Sequence, residues 1–96
     1  MLQATRLGDK NTGHDDCAPV TLISASPNVN INGLGAGRQT DIYAPHGCDI
    51  HGTHSDSINQ GSSSVFINAL PAGRVGDEVV LDGSVSQGSP DVFIGG

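Results

Sequence analysis

The chain repeats one pattern three times, and this repetition limits the folds that it can adopt. Each copy begins with an alanine, an arginine and an aspartate at fixed spacing, and ends with two β-branched residues separated by one position. The openings are Ala4, Arg6 and Asp9, then Ala36, Arg38 and Asp41, then Ala72, Arg74 and Asp77. The endings are Val29 and Ile31, Val65 and Ile67, and Val92 and Ile94. The copies span approximately residues 4–33, 36–69 and 72–96, so the sequence predicts a repeat architecture.

The segments between opening and ending differ in length among the three copies. From the aspartate to the valine, the chain advances 20 residues in the first copy, 24 in the second and 15 in the third. Solenoids stack their copies along a line with a regular period, and unequal insertions suit a closed arrangement at least as well. Three short β repeats around a pseudo-threefold axis are therefore expected as an alternative to a linear stack.

Three of the four basic residues occupy one repeat position, each three residues before an aspartate. A guanidinium and a carboxylate at this separation can form a strong bidentate pair. The sequence therefore predicts that Arg6, Arg38 and Arg74 each brace the turn that carries the aspartate of their own copy.

The composition favours a small all-β domain with a thin core. The 96 residues predict one domain over residues 1–96, and 35% of them are hydrophobic, without any tryptophan. A chain of this size usually needs a staple, a metal or a partner. The 14 glycines and 5 prolines indicate turns rather than helices. The net charge of −6 argues against a nucleic-acid partner, because phosphate binding needs clustered lysine and arginine.

From the sequence we expect neither a signal peptide nor a membrane-spanning segment. No apolar run approaches the roughly 20 residues that a membrane span needs. The N-terminus lacks the apolar region of a signal peptide. We therefore expect synthesis in the cytoplasm without a signal peptide.

The repeat endings are predicted to be short strands. Residues 29–31, 65–67 and 92–94 alternate with period two, which places valine and isoleucine on one face. Residues 78–81 are predicted as a further strand. Phe66 and Phe93 fall on the opposite face, for which a small chain has no obvious cover, so we expect them in a contact surface. The third equivalent position is Asn30, which makes that surface imperfectly threefold.

One loop concentrates side chains that bind metals. Residues 46–54 contain His46, Cys48, His51 and His54. By repeat symmetry His14 joins them, because it and His46 each lie five residues after the aspartate of their copy. Imidazole and thiolate groups in a four-ligand site favour zinc over calcium or magnesium.

The two cysteines, Cys17 and Cys48, could instead form a disulfide. In a reducing cytoplasm, and beside histidines, metal ligation is the better interpretation. Cys17 is the less suited of the two as a ligand, because the repeat position that corresponds to it holds no cysteine.

The sequence lacks the motifs of hydrolytic catalysis. It contains neither the His-Glu-x-x-His pattern of zinc proteases nor the Gly-x-Ser-x-Gly elbow of serine hydrolases. A site with four protein ligands leaves no position for water, which is typical of structural metal sites. A non-enzymatic protein is therefore favoured. A stand-alone zinc-binding adaptor and a zinc hydrolase are the alternatives.

The chain resembles the PAAR-repeat proteins over nearly its whole length. The family motif is fullest in residues 71–77 and looser in residues 3–9, and the Ser-Pro-x-Val-x-Ile-x-Gly closure occurs at residues 26–33 and 89–96. The resemblance implies a small cone-shaped β fold with a metal site near the apex. It also implies a function: members of the family cap and sharpen the trimeric β-helical spike of type VI secretion systems and of contractile phage tails.

The resemblance further implies which residues serve each role. The zinc ligands would be His14, His46, Cys48 and one of His51 and His54, with iron as the alternative metal. The spike contact is expected at Phe66, Phe93, Val29, Val65 and Val92. One copy would cap one trimer and leave the cell with it, in a secretion system or on a phage tail. Effector proteins and transient contact with a target membrane are further expectations.

One position departs from the family motif. The second copy has Thr40 where the other two have Gly8 and Gly76, and no proline precedes its alanine. We therefore expect the turn of the second copy to be distorted.

Overall fold

The computed structural model describes residues 1–14, 17–48, 51–81 and 83–96 of the chain. All extended or helical elements in these ranges are strands, which confirms the all-β class. The strands are β1 (Leu2–Gln3), β2 (Asn30–Ile31), β3 (Leu34–Gly35), β4 (His46–Cys48), β5 (His51–His54), β6 (Phe66–Ile67), β7 (Leu70–Pro71) and β8 (Phe93–Ile94). Among the described residues we find no helix of the length and apolarity that a membrane span requires.

Three antiparallel strand pairs form a layer that we call the base. β2 pairs with β3, β6 pairs with β7, and the C-terminal β8 pairs with the N-terminal β1. In each pair an isoleucine lies opposite a leucine: Ile31 opposite Leu34, Ile67 opposite Leu70, and Ile94 opposite Leu2. The two ends of the described chain therefore build the third pair, which completes the base.

The repeat openings pair with one another in a ring. The bridges join Arg6 to Ala36, Arg38 to Ala72, and Arg74 to Ala4. Each copy thus pairs with the next, and the third returns to the first. This arrangement confirms the expected closed threefold architecture and excludes a linear stack.

Small residues at the centre of this ring let three backbones approach closely. The N–H of Thr5 donates to Gly73, that of Gly73 to Gly37, and that of Gly37 to Thr5, at 2.9–3.1 Å. A Cβ atom on Gly37 would lie 2.7 Å from the Thr5 side chain, which is itself fully buried. The Thr5 side chain fills the centre of the ring, so the equivalent positions in the other two copies, Gly37 and Gly73, hold glycine.

The hydrophobic core consists of two layers. The base layer holds one alanine and one isoleucine from each copy, namely Ala4, Ala36, Ala72, Ile31, Ile67 and Ile94. The second layer lies further along each copy and holds Leu22, Tyr43, Ile58, Val79 and Val85. In this layer Leu22 pairs with Tyr43, and Ile58 pairs with Val79. The thin core that the composition predicts is thus divided between two small clusters.

Asn11 is a buried polar member of the second layer. It pairs with Val85 in the position that corresponds to Tyr43 and Val79, and it is fully shielded from solvent. Its side-chain oxygen accepts hydrogen bonds from the N–H groups of Gly13 and Val20, both at 3.1 Å. A buried amide is tolerated where it is hydrogen-bonded. Asn11 therefore ties together the loop that carries His14.

A turn replaces most of the strand predicted for residues 78–81. Among the described residues of this region only isolated bridges occur, from Glu78 to Ser84 and from Val79 to Ile58. The N–H of Val79 donates to the carbonyl of Gly83 at 3.0 Å, and Leu81 has a φ of 56°. The chain reverses direction within a few residues, so the prediction of a strand is wrong here.

Each repeat arginine forms the predicted ion pair with its aspartate. The shortest contacts are 2.9 Å for Arg6 and Asp9, 2.9 Å for Arg38 and Asp41, and 3.0 Å for Arg74 and Asp77. In all three pairs Nε bonds one carboxylate oxygen and Nη2 bonds the other. These hydrogen bonds raise the pKa of Arg6 and of Arg38 above the ordinary arginine value. The prediction of three turn braces is confirmed.

The turn of the second copy keeps the geometry of the other two. The N–H of Asp41 donates to the carbonyl of Arg38 at 3.0 Å, the same bond that the other copies make. Thr40 has a φ of 82°, close to the 91° of Gly8. The expected distortion is therefore wrong, because the ion pair and the ring hold the backbone in place. The consequence is strain, since a residue with a Cβ atom loses about 1–2 kcal/mol in the left-handed region.

We expect Thr40→Gly to stabilise the protein by about 1 kcal/mol, the strain relieved less the extra entropy that glycine gives the unfolded chain. The reciprocal variant Gly8→Thr should lose a similar amount. No heavy atom lies within 4 Å of the Cβ position at Gly8, so the backbone effect is isolated there. Chemical denaturation measures both changes. Unchanged stability in both variants would contradict the strained turn.

Candidate metal centre and base surface

A backbone bridge in the first copy brings His14 and Cys17 together. The N–H of Cys17 donates to the carbonyl of His14 at 2.7 Å, and the N–H of His14 donates back at 3.3 Å. Cys17 is buried and His14 is half-buried. Asn11 holds the start of this loop, so both side chains are fixed relative to the second core layer.

A short hairpin in the second copy positions two more histidines. β4 and β5 pair antiparallel, with His46 opposite His54 and an irregularity between His46 and Cys48. Side chains directly opposite each other on two strands lie close together. The two imidazole rings meet edge to face with their centroids 4.5 Å apart, and their Nε2 atoms are 3.2 Å apart.

The bridge and the hairpin meet at a cluster of four potential ligand atoms, all within 4.8 Å of one another. The cluster consists of His14, Cys17, His46 and His54. Tetrahedral bonds of about 2.0–2.1 Å from zinc to nitrogen place two nitrogens about 3.3 Å apart. The 3.2 Å between the Nε2 atoms of His46 and His54 matches this geometry. The residues present therefore fit a metal ion, and the cluster could hold one.

The cluster contains three of the five histidines and cysteines expected from the sequence. His14, His46 and His54 lie in it. The side chains of Cys48 and His51 lie outside the part of the chain that the structure describes, so their roles stay predictions. The sulfur in the described cluster belongs to Cys17, which the sequence analysis ranked lower. The repeat symmetry does not point to Cys17, because a backbone bridge to His14 brings it to the site.

Cys17 takes part in a disulfide bond in this structure. The sequence contains one other cysteine, Cys48. The sequence favours metal ligation over a disulfide. For Cys17 this preference is wrong in this structure, because its sulfur is already bonded to another sulfur. A disulfide sulfur carries no negative charge, and the thiolate is the form that binds metals.

Asp56 supports the centre from behind His54. The Nδ1 atom of His54 lies 3.0 Å and 2.9 Å from the two carboxylate oxygens of Asp56, whose side chain is 5% exposed. A carboxylate at Nδ1 favours the proton on that nitrogen, so the lone pair remains on Nε2, which faces the cluster. Asp56 was not predicted from the sequence. The only signal was its position two residues after His54.

The base carries the apolar side chains that the sequence assigned to a contact surface. Phe66 is 56% exposed and Phe93 is 45% exposed, and Asn30 at the third equivalent position is also exposed. Val29 and Val65 are partly exposed, whereas Val92 packs against the base layer of the core. Val29 and Val65 are therefore accessible to a partner, whereas Val92 is partly covered by the core. Their role in a partner contact stays a prediction.

Comparison with known protein families matches the PAAR motif over residues 7–85 and 49–96. These segments cover most of the sequence, and the chain belongs to the PAAR motif family. The resemblance drawn from residues 71–77, 3–9, 26–33 and 89–96 is thereby confirmed. The family comprises spike-tip proteins of type VI secretion systems, and its domain is typically non-catalytic.

One similar protein is the Double-stranded DNA deaminase toxin A of Burkholderia cenocepacia (strain H111). It is 33% identical over 75 residues, which make up 78% of this chain and 5% of the toxin. The chain therefore corresponds to a small part of the length of this relative.

We expect Asp56→Asn to lower the affinity for zinc about 10- to 100-fold, because an amide no longer fixes the tautomer of His54. Competition with a chromophoric chelator measures the affinity. Asp91→Asn is the matched control, since Asp91 is exposed and bonds Asn32 and Ser89 at the base. Equal affinities in both variants would show that Asp56 does not support the centre.

Proposed function

We propose that this protein is a non-enzymatic, membrane-piercing tip that caps the trimeric β-helical spike of a type VI secretion system or a phage-like contractile tail. The observation that carries this proposal is the closed threefold base. Three strand pairs with equivalent register surround one axis, and a single chain supplies all three. Such a base can meet three identical chains of a trimer, which gives one tip per spike.

The order of the layers supports an orientation with the base toward the spike. In the first two copies the chain runs from the base layer through the second layer to a histidine of the centre. Ala4, Asn11 and His14 mark this path in the first copy, and Ala36, Tyr43 and His46 mark it in the second. The molecule is 37 Å long and 23 × 22 Å across. The proposed apex is therefore the end with the metal centre.

The chemistry of the cluster supports structural zinc at that apex. Three imidazoles together with a cysteine thiolate suit zinc, and the Cys17 sulfur supplies a thiolate only when its disulfide is reduced. The centre links the bridged residues His14 and Cys17 to the paired strands β4 and β5. A metal there would hold the loops together where apolar packing ends, because metal binding adds directly to folding stability.

Delivery out of the cell follows from the proposed place on the spike, as does transient contact with a target membrane. The similarity to a small part of a toxin supports the expectation that effector proteins travel with tips of this kind. This proposal includes no catalytic role for the chain.

The purified protein should contain about one zinc ion per chain. Chelation should lower its melting temperature sharply, because the binding energy is part of the folding energy. Even without chelator, His46→Ala should have a melting temperature as low as that of the chelated wild type. Lys10→Ala, at an exposed position, should keep the melting temperature of the untreated wild type. Calorimetry with elemental analysis measures both quantities. A metal-free preparation of unchanged stability would contradict a structural zinc.

The double variant Phe66→Asp with Phe93→Asp should abolish capture by the spike trimer, because charges on the base cannot be buried against an apolar partner. The wild-type complex should contain one tip and three spike chains by light scattering. The matched control is Ile23→Asp with Ile42→Asp, at positions 52% and 43% exposed that lie outside the base strands.

The control variant should bind the trimer as the wild type does, and both double variants should retain the metal. If the phenylalanine variant still caps the trimer, the base is not the contact surface. If both variants lose capture equally, the contact is not confined to the base.

A further inference from the structure

The Cys17 sulfur is bonded in a disulfide, and it also lies where it could be a metal ligand; it cannot do both at once. This sulfur lies within 4.8 Å of the ligand nitrogens of His14, His46 and His54, in the position of a fourth ligand. The same sulfur is part of a disulfide. A disulfide sulfur is neutral and a poor ligand for zinc, whereas a thiolate is a strong one.

We infer that the metal centre is redox-gated, with Cys17 as the gate: the disulfide leaves three imidazoles for the metal, and reduction supplies a thiolate that completes a four-ligand site. This inference rests on the zinc site proposed above. It goes beyond that site by assigning it two states of different affinity.

Electrons and protons balance when the disulfide state is converted into the metal-bound state. A dithiol gives two electrons and two protons to the disulfide of Cys17 and becomes a disulfide itself. The Cys17 thiol then releases its proton to solvent as its sulfur binds the metal. In the reverse direction, an oxidant of the disulfide class removes two electrons from the cysteines and the metal loses its anionic ligand.

The geometry explains why both states can exist without refolding. The two backbone hydrogen bonds between His14 and Cys17 do not involve the sulfur, so they can form whether or not the sulfur is oxidised. The imidazoles of His46 and His54 are placed by their own hairpin and by Asp56. Only the bond at sulfur changes, so the disulfide and the metal are alternative links at one end of the molecule.

The two states correspond to different compartments. Disulfides persist in oxidising environments and are rare in a reducing cytoplasm. The metal-bound form is therefore expected inside the cell, and the disulfide form is favoured after delivery. Cys17 is only 6% exposed, so a small reductant is needed to reach it.

The test compares zinc affinity in the two states of the full chain. One sample is kept without reductant and shows no titratable thiols, and the other is reduced with a water-soluble phosphine. The phosphine takes its oxygen from water to form the phosphine oxide. Competition with a chromophoric chelator should show at least about tenfold tighter zinc binding after reduction, since a lost ligand costs no less than a lost supporting group. Cobalt added to the reduced sample should show a charge-transfer band from thiolate to metal.

Two serine variants identify the sulfur that acts. Cys48→Ser leaves Cys17 without an intramolecular disulfide partner, so it should bind tightly and show the cobalt band without any reductant. Cys17→Ser should bind weakly and lack the band in both conditions. The opposite pattern would assign the ligand to Cys48, as the family resemblance implies, and would overturn the role of Cys17.

The remaining outcomes separate this inference from the proposed function. Equal zinc affinity before and after reduction would overturn the gate while leaving a zinc site in place. Absence of zinc binding in both states would overturn the gate and the structural zinc together. Neither outcome bears on capture by the spike trimer, which the base variants test independently.

Discussion

The bidentate arginine–aspartate pair, present three times, is the interaction on which the rest of the structure depends. Each pair closes the turn that follows the central ring, and its side chains are largely buried, with the arginine 9–14% and the aspartate 3–6% exposed. The remaining guanidinium nitrogen reaches the base. Arg6 bonds Asn32, Arg38 bonds Asn68, and Arg74 bonds the carbonyl of Gly95. One side chain per copy thus joins turn, ring and base, and loss of one partner from such a buried pair typically costs about 3–5 kcal/mol.

The three ion pairs leave little room for apolar side chains, which pack in two small layers. The base layer uses alanine and isoleucine around the axis, and the second layer accommodates one aromatic ring, that of Tyr43. Three histidines and Cys17 converge outside both layers of the described core, in a cluster that could hold a metal ion. A domain of this size cannot rely on apolar burial alone, because it has too little interior.

The repeat predicted the parts of the molecule that obey the symmetry, and the unpredicted parts are those that break it. The closed ring, the three braces and the strand pairs follow from residues that recur in each copy. Cys17 was ranked below Cys48 as a ligand, and Asn11 was not identified, because each stands at a position where the other copies carry a different residue. Asp56 acts through a contact with His54 that spacing alone does not reveal. Thr40 was expected to distort its turn, but the surrounding hydrogen bonds impose the geometry that glycine adopts elsewhere.

Amide hydrogen exchange of the chain, free and bound to purified spike trimer, tests the central claim most directly, because exchange reports local opening strand by strand. If the threefold base is the contact, amides of β2, β6 and β8 should become protected together on binding, while those of β4 and β5 keep the rates of the free protein. Protection confined to one copy, or centred on β4 and β5, would contradict the account.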